Sequence, residues 1–312
     1  MASKQPKAMG GTELMAARIE RDVNPSLLEQ FNIIHSRVRE LSQTKKNILV
    51  LHDLAQDPEV QHLKDGGWEK YDLLVFVSHW QQEMYNLYLG VPYSAGIVMR
   101  NAIEPIEEHT KPNDGKIRLM YYSTPHRGLD ILYAAFNQLA KEYDNIELNV
   151  YSSFDLYGWK ERDEPYKELF QKLTEHPKIR YSKSVPNDKI REELKKTHIF
   201  AYPSKWKETS CLCLIEAMSA GCTAVHSSLA ALSETSMGMT SMYGYLEDDI
   251  QHANRFYLEL KNAIEMYQHQ GKRKHIEQRL KVTKAFADSN FSWHNRSLEW
   301  SKLLEVLTNE QD

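Results

Sequence analysis

Residues 202–221 read Tyr202-Pro-Ser-Lys-Trp-Lys-Glu208-Thr-Ser-Cys211-Leu-Cys-Leu-Ile-Glu216-Ala-Met-Ser-Ala-Gly221. The order is a strand end, a short polar loop, a helix over Leu212–Ala220 and a glycine stop. A helix opening near Thr209–Cys211 aims its free N–H groups and its positive dipole end back over the strand end, an anion site suited to a diphosphate. Glu208 stands at the mouth of that helix, and Glu216 follows about two turns later on roughly the same side. Carboxylates accept hydrogen bonds from sugar or ribose hydroxyls, often two at once. A plainer role is open to both, Glu208 as a favourable charge at a helix N-terminus and Glu216 as part of a solvated face. Leu212, Leu214, Ile215 and Met218 surround Glu216, however, and a solvated carboxylate rarely keeps such company.

Outward from this stretch, short apolar runs alternate with helical periodicity. Asn32–His35, Asn47–Asp53, Asp72–Ser78, Ile117–Tyr122, Ile146–Tyr151, His198–Tyr202 and Thr223–His226 read as strands. Helical spacing covers Gln81–Leu89, Gly128–Lys141, Tyr166–Thr174 and Asp188–Lys196, and most of the chain from Asp249 onward. Strands and helices in that alternation predict an α/β fold of parallel sheets with helices on both faces. Such sheets bind ligands beyond the strand C-termini, where His35, His52, Asp53, Ser78, Ser123, Ser152, Ser153 and Ser204 fall. Glu104–Gly115, with two prolines and little apolar content, reads as an exposed linker between domains.

Composition narrows the class. At about 100–200 residues per domain, 312 residues suggest two domains. With 39 Lys and Arg against 43 Asp and Glu, the charge of −4 is too balanced for a protein that lives on nucleic-acid phosphates. No run approaches the roughly 18 apolar residues of a membrane span, and Met1–Gly10 has no apolar core of a secretory signal. The three cysteines, Cys211, Cys213 and Cys222, point to a reducing cytoplasm rather than a disulfide framework. With His226 they offer four zinc ligands, but Cys-x-Cys within one helix does not converge on one ion, and buried thiols are the better reading. The basic run Lys272–Lys284 reads as a solvated helix face, or as a weak contact with an anionic membrane surface at the inner membrane face.

The segment Pro203-Ser204…Glu208-x7-Glu216-Ala-Met-x-Ala-Gly221 resembles the nucleotide-sugar signature of the retaining glycosyltransferases of family 4 (glycosyl transferases group 1), which have the GT-B fold of two Rossmann-like domains facing a cleft. The resemblance implies that Glu208 binds hydroxyls of the donor sugar and Glu216 the ribose. Backbone N–H groups of Thr209, Ser210, Cys211 and Leu212 would hold the diphosphate and sugar; Thr209-Ser210-Cys211 replaces the family's usual Gly-Phe-Gly. Tyr122-Ser123-Thr-Pro-His-Arg127-Gly128-Leu-Asp resembles the first loop of the family's donor domain. It implies donor contacts from Ser123 and a phosphate-binding Arg127, a permanent charge that grips phosphate through two N–H groups. Gly10-Gly11-Thr12-Glu13 resembles the Gly-Gly-x-Glu loop, which places Gly11 against the phosphate. His35 and His52 match the family's strand-end histidines, with His52 near the transferred sugar. Val98-Met-Arg-Asn101-Ala-Ile matches a structural turn at the domain junction. Phe291-Ser-Trp293…Trp300 resembles the closing helix that crosses back onto the first domain, anchored by its aromatics.

By this resemblance, 1–104 forms an acceptor-side domain completed by 288–312, and 105–287 forms the donor domain. The short stretch ahead of Gly10 suggests a first sheet with fewer than the usual six strands. The expected activity is transfer of a hexosyl group with retention from a UDP- or GDP-linked sugar. The acceptor would be a glycan, a lipid-linked molecule or a small molecule. No Asp-x-Asp triplet occurs, so no cofactor and no metal is expected, and Glu208, His52 and Arg127 are the candidate catalytic residues. A nucleotide-sugar epimerase and a non-catalytic nucleotide-sugar binding module are the rival readings.

Overall fold

The computed structural model describes residues 8–37 and 40–309. The stretch Met1–Lys7, on which part of the expectation about the N-terminus and the first domain's start rests, lies outside the described residues, as does the end of the crossing-back segment at 310–312.

The first domain opens with helices α1 (Gly11–Asp22) and α2 (Pro25–Leu28), then strands β1 (Phe31–His35), β2 (Lys46–Leu51) and β3 (Leu73–Phe76). Helix α3 (His79–Leu89) and the short strand β4 (Gly96–Val98) complete it. The strands form a parallel sheet in the order β1-β2-β3-β4, four strands among the described residues. In β2 the pleat sends Ile48 and Val50 to one face, against Met15 and Ile19 of α1. Leu49 and Leu51 go to the other, against Tyr85 and Leu89 of α3. Burial on both faces is why β2 is a continuous apolar run rather than an alternating one.

The second domain runs β5 (Ile117–Tyr122), α4 (Leu129–Glu142), β6 (Ile146–Tyr151), α5 (Lys167–Glu175), β7 (Ile179–Ser182), α6 (Asn187–Leu194) and β8 (Ile199–Tyr202). It continues through α7 (Leu212–Ser219), β9 (Thr223–Ser227), α8 (Leu232–Ser236), β10 (Ser241–Tyr243), α9 (Asp249–Gln268) and α10 (Gln270–Asn290). Its sheet has six parallel strands in the order β10-β9-β8-β5-β6-β7. The strand order reverses between β5 and β8, and a ligand crevice opens at such a switch point.

Helix α11 (Trp293–Asn309) then returns to the first domain, where Trp293, Trp300 and Leu304 are buried with Met15, Ile19 and Phe31. Trp293 Nε1 donates to Asp22 at 2.5 Å, and Lys46 Nζ to the Leu307 carbonyl at 2.7 Å. The two chain crossings lie side by side: Ile103 N donates to the Phe291 carbonyl at 2.8 Å and Trp293 N to the Ile103 carbonyl at 2.6 Å.

One sequence expectation needs correction and another gains detail. Glu104–Gly115 has no helix or strand and is mostly exposed, and it is strapped along the second domain. Ile106 N donates to Ser219 Oγ at 2.8 Å, Arg191 Nη2 to the Glu104 carbonyl at 2.8 Å, and Lys111 Nζ to the Leu194 carbonyl at 3.2 Å. Lys284, counted with the basic run, points inward: Nζ binds the Ile106 and Ser219 carbonyls and pairs with Asp288 at 2.8 Å. The carbonyls around Lys284 replace the water it would otherwise need. Among the described residues, no helix is long and apolar enough to cross a membrane.

The two domains meet through polar contacts that bracket the cleft. Glu234 of α8 accepts from the backbone N–H groups of His79 (3.1 Å) and Trp80 (3.0 Å), which open α3, and pairs with Arg100 at 3.1 Å. Asn187 exchanges hydrogen bonds with the backbone of Met9 at 2.9 and 3.2 Å, and Thr209 Oγ1 donates to the His52 carbonyl at 2.8 Å.

Candidate active site

The cleft between the domains is lined from one side by Gly10, Gly11, His52 and Asn101, and from the other by Ser123, Arg127, Thr209–Leu212, Glu208 and Glu216. Every residue singled out for catalysis or donor binding in the sequence therefore borders one cavity. The turn Val98–Ile103 contributes more than a joint, since buried Asn101 forms part of the wall.

Helix α7 begins at Leu212, where the helical spacing places its start, with Cys211 as N-cap in an extended conformation (φ −100°, ψ 94°). No side chain caps it. The first-turn N–H groups thus remain for solvent or an anion. Glu208 lies on the loop before the helix, so its place in the cleft follows from the loop path and not from helical spacing with Glu216. Leu212 also meets the glycine loop: a Cβ on Gly11 would stand 3.2 Å from Leu212 Cδ1.

Arg127 ends a 3-10 turn (Pro125–Arg127) beyond β5, and its Nη1 lies 2.8 Å from Glu208 Oε1. The same oxygen accepts a hydrogen bond from the Tyr202 hydroxyl at the end of β8. Burial pulls the Arg127 pKa down, but Glu208, Tyr202 and Tyr157 outweigh it and hold the guanidinium firmly charged. Arg127 Nε is buried without a partner, so part of its donor fork is unspent. The two residues assigned to phosphate and to sugar engage each other here.

Glu216 is buried on α7, within 3.3 Å of Arg191 Nη1 and 3.4 Å of the Tyr122 hydroxyl. Burial raises its pKa, against the pull of Arg191 and Arg18. Tyr122, Arg191, Tyr202 and Tyr157 shape the site and were not singled out from sequence. The strand-end position of Tyr122 and Tyr202 was the signal available for two of them.

His35 and His52 end neighbouring strands, with rings stacked at 6.0 Å between centroids and 23° between planes. Their Nδ1 and Nε2 atoms, respectively, are buried without partners. Burial lowers the His35 pKa to about 4; burial and His35 together lower that of His52 to about 3. The folded chain keeps both neutral where the unfolded chain takes up protons, so stability falls as pH drops from about 6.5 towards 4. Each histidine adds a slope of about 1.4 kcal/mol per pH unit in that window. His52→Gln should flatten the unfolding free energy against pH by about that amount, measured by urea denaturation at a series of pH values; an unchanged slope would contradict a neutral buried His52.

Among the described residues, no group of three or more His, Cys, Asp or Glu side chains could hold a metal ion. Cys211 and Cys222 are buried and Cys213 partly so, all free thiols.

Residues 103–236 match the Glycosyl transferases group 1 family. No curated protein sequence matches the chain. Among solved structures, a glycosyltransferase from Rickettsia africae ESF-5 is similar with a TM-score of 0.70 and 14% identity, over 99% of this chain and 84% of that one. Sucrose-phosphate synthase from Thermosynechococcus elongatus gives 0.65 and 14%, over 89% and 74%. Anabaena HepE, solved in complex with UDP-glucose, gives 0.62 and 14%, over 84% and 72%. At that identity the likeness speaks for the fold, and it agrees with the two parallel sheets and the returning α11. The chain has the GT-B fold, and its residues 103–236 are similar to the Glycosyl transferases group 1 family.

Proposed function

We propose that the protein transfers a hexosyl group from a nucleotide diphosphate-sugar to an acceptor hydroxyl, with retention of configuration and without a metal. The observation that carries this is the pairing of Arg127 with Glu208 beside the uncapped N-terminus of α7, with Glu216 in the same cavity. One permanent cation and a set of free N–H groups suit a departing diphosphate, and fixed donors of that kind stabilise charge as it develops. Glu208 would release part of its hold on Arg127 to take hydroxyls of the donor sugar, and Glu216 would take the ribose hydroxyls. No side chain stands out as a covalent nucleophile, so departure and attack on one face are proposed, the leaving phosphate accepting the acceptor's proton. Neutral His52 can donate or accept a hydrogen bond at the transferred sugar but carries no charge there. HepE was solved with UDP-glucose and pneumococcal GtfA with UDP and GlcNAc, which supports a uridine-linked donor, with GDP-linked sugars as the second choice.

Thermal shift against UDP, GDP and their sugars, followed by a donor-hydrolysis assay, tests this directly. Slow release of free sugar and nucleotide is the expected result. Isomerised donor would point to an epimerase, and tight binding without turnover to a binding module. Glu216→Gln should weaken nucleotide binding about tenfold through loss of a charged acceptor, read by titration calorimetry; unchanged affinity would remove Glu216 from the ribose site.

A further inference from the structure

Tyr157 enters the cleft from the loop after β6, on a 3-10 turn over Phe154–Tyr157. The loop is stiffened from within. Asp163 accepts from Ser153 Oγ at 2.5 Å and from Phe154 N at 2.8 Å; Tyr157 packs on Trp159 at 5.2 Å, and Arg162 lies 4.2 Å over the Trp159 ring. These contacts hold the phenol against the opposite domain at Gly10, where a Cβ would come within 2.4 Å of Tyr157 Cε1. A side chain at position 10 would push the tyrosine out of the cleft or hold the domains apart. The charges facing Tyr157 are Arg127 and Glu208 from the donor side and Glu13 from α1.

We propose that Tyr157 is a donor-gripping residue, its ring closing the cleft on Gly10 and its phenol O–H donating a hydrogen bond to an oxygen of the diphosphate held by Arg127. This rests on reading the cleft as a nucleotide diphosphate site. A phenol suits the place because it is a donor that adds no charge, so it strengthens the grip on an anion without opposing Arg127. Burial raises the Tyr157 pKa, which keeps the O–H in place across the physiological range. The bare backbone of Gly10 admits the ring, and so couples occupancy of the donor site to the approach of the two domains.

Titration calorimetry with UDP, GDP and the matching nucleosides tests the assignment. Tyr157→Phe keeps the ring and removes the donor, so the Kd for the preferred diphosphate should rise about tenfold while the nucleoside Kd holds. Gly10→Ala should weaken the diphosphate on its own, and Tyr157→Ala in the same chain should recover part of that loss, because the nearer clash partner is gone and the other, Glu13 Oε2 at 2.6 Å, is the end of a flexible side chain. If neither diphosphate binds the unsubstituted chain, the nucleotide reading falls and this role falls with it. If a diphosphate binds and Tyr157→Phe binds it as tightly, the role of Tyr157 alone is overturned. Additive losses from Gly10→Ala and Tyr157→Ala would overturn the contact across the cleft.

Discussion

Replacing Arg127 with Ala should lower sugar release from the preferred nucleotide-sugar by about 10²–10³, the scale for loss of one preorganised group facing developing charge. The electrostatic reason is local. Arg127 is the cation nearest Glu208 at 2.8 Å, and its unpaired Nε leaves a donor for a second anion. Removing it also strands Glu208 with Tyr202 as its remaining side-chain partner, which costs about 3 kcal/mol for a buried pair broken on one side. Folding must therefore be measured with activity, by circular dichroism and urea denaturation. Arg127→Lys separates the two effects: it keeps a charge near Glu208 but loses the planar fork, so stability should recover more than rate. Full turnover in a folded Arg127→Ala chain would remove Arg127 from the mechanism.

The strand–loop–helix order of residues 202–221 was legible because parallel strands buried on both faces are written as unbroken apolar runs. Ile117–Tyr122 and Ile146–Tyr151 have the bounds the sequence suggests. The strands not foreseen, Gly96–Val98, Ile179–Ser182 and Ser241–Tyr243, are edge strands of three or four residues. An edge strand has one neighbour and need not be apolar throughout, so its pattern is weak. In the site, Glu208, Glu216 and Arg127 were legible as motif residues, but their pairing was not: Arg127 and Glu208 lie 81 residues apart and meet only because β5 and β8 are adjacent. Tyr157 was invisible for a related reason. Its loop follows β6 with no apolar period, and only the approach of Gly10 from the other domain gives it a place. Glu234, which clasps the start of α3, belongs to the same class of contact made between domains.

Gly128→Ala is expected to destabilise the chain by about 3 kcal/mol or more and to cripple turnover, although residue 128 need not touch a ligand. Gly128 sits at φ +100° between the Arg127 turn and α4, and a Cβ there would lie 2.1 Å from the Pro203 carbonyl oxygen and 3.0 Å from its carbon. Left-handed backbone alone costs a residue with a Cβ about 1–2 kcal/mol. The clash adds to this because its partner is backbone, which cannot swing aside as a side chain would. Either the Arg127 turn or the 203–211 loop must move, and the loop carries Glu208 five residues on. A shift near 1 Å between groups that must act together costs about 10² in rate. Gly90→Ala supplies the comparison, since Gly90 also has positive φ (+70°) but nothing within 4 Å of its added Cβ. It should lose only the conformational 1–2 kcal/mol or so, with turnover kept. Urea denaturation and donor hydrolysis on both variants separate strain from clash; equal losses in the two would show that the approach of Gly128 to Pro203 does not set the distance between Arg127 and Glu208.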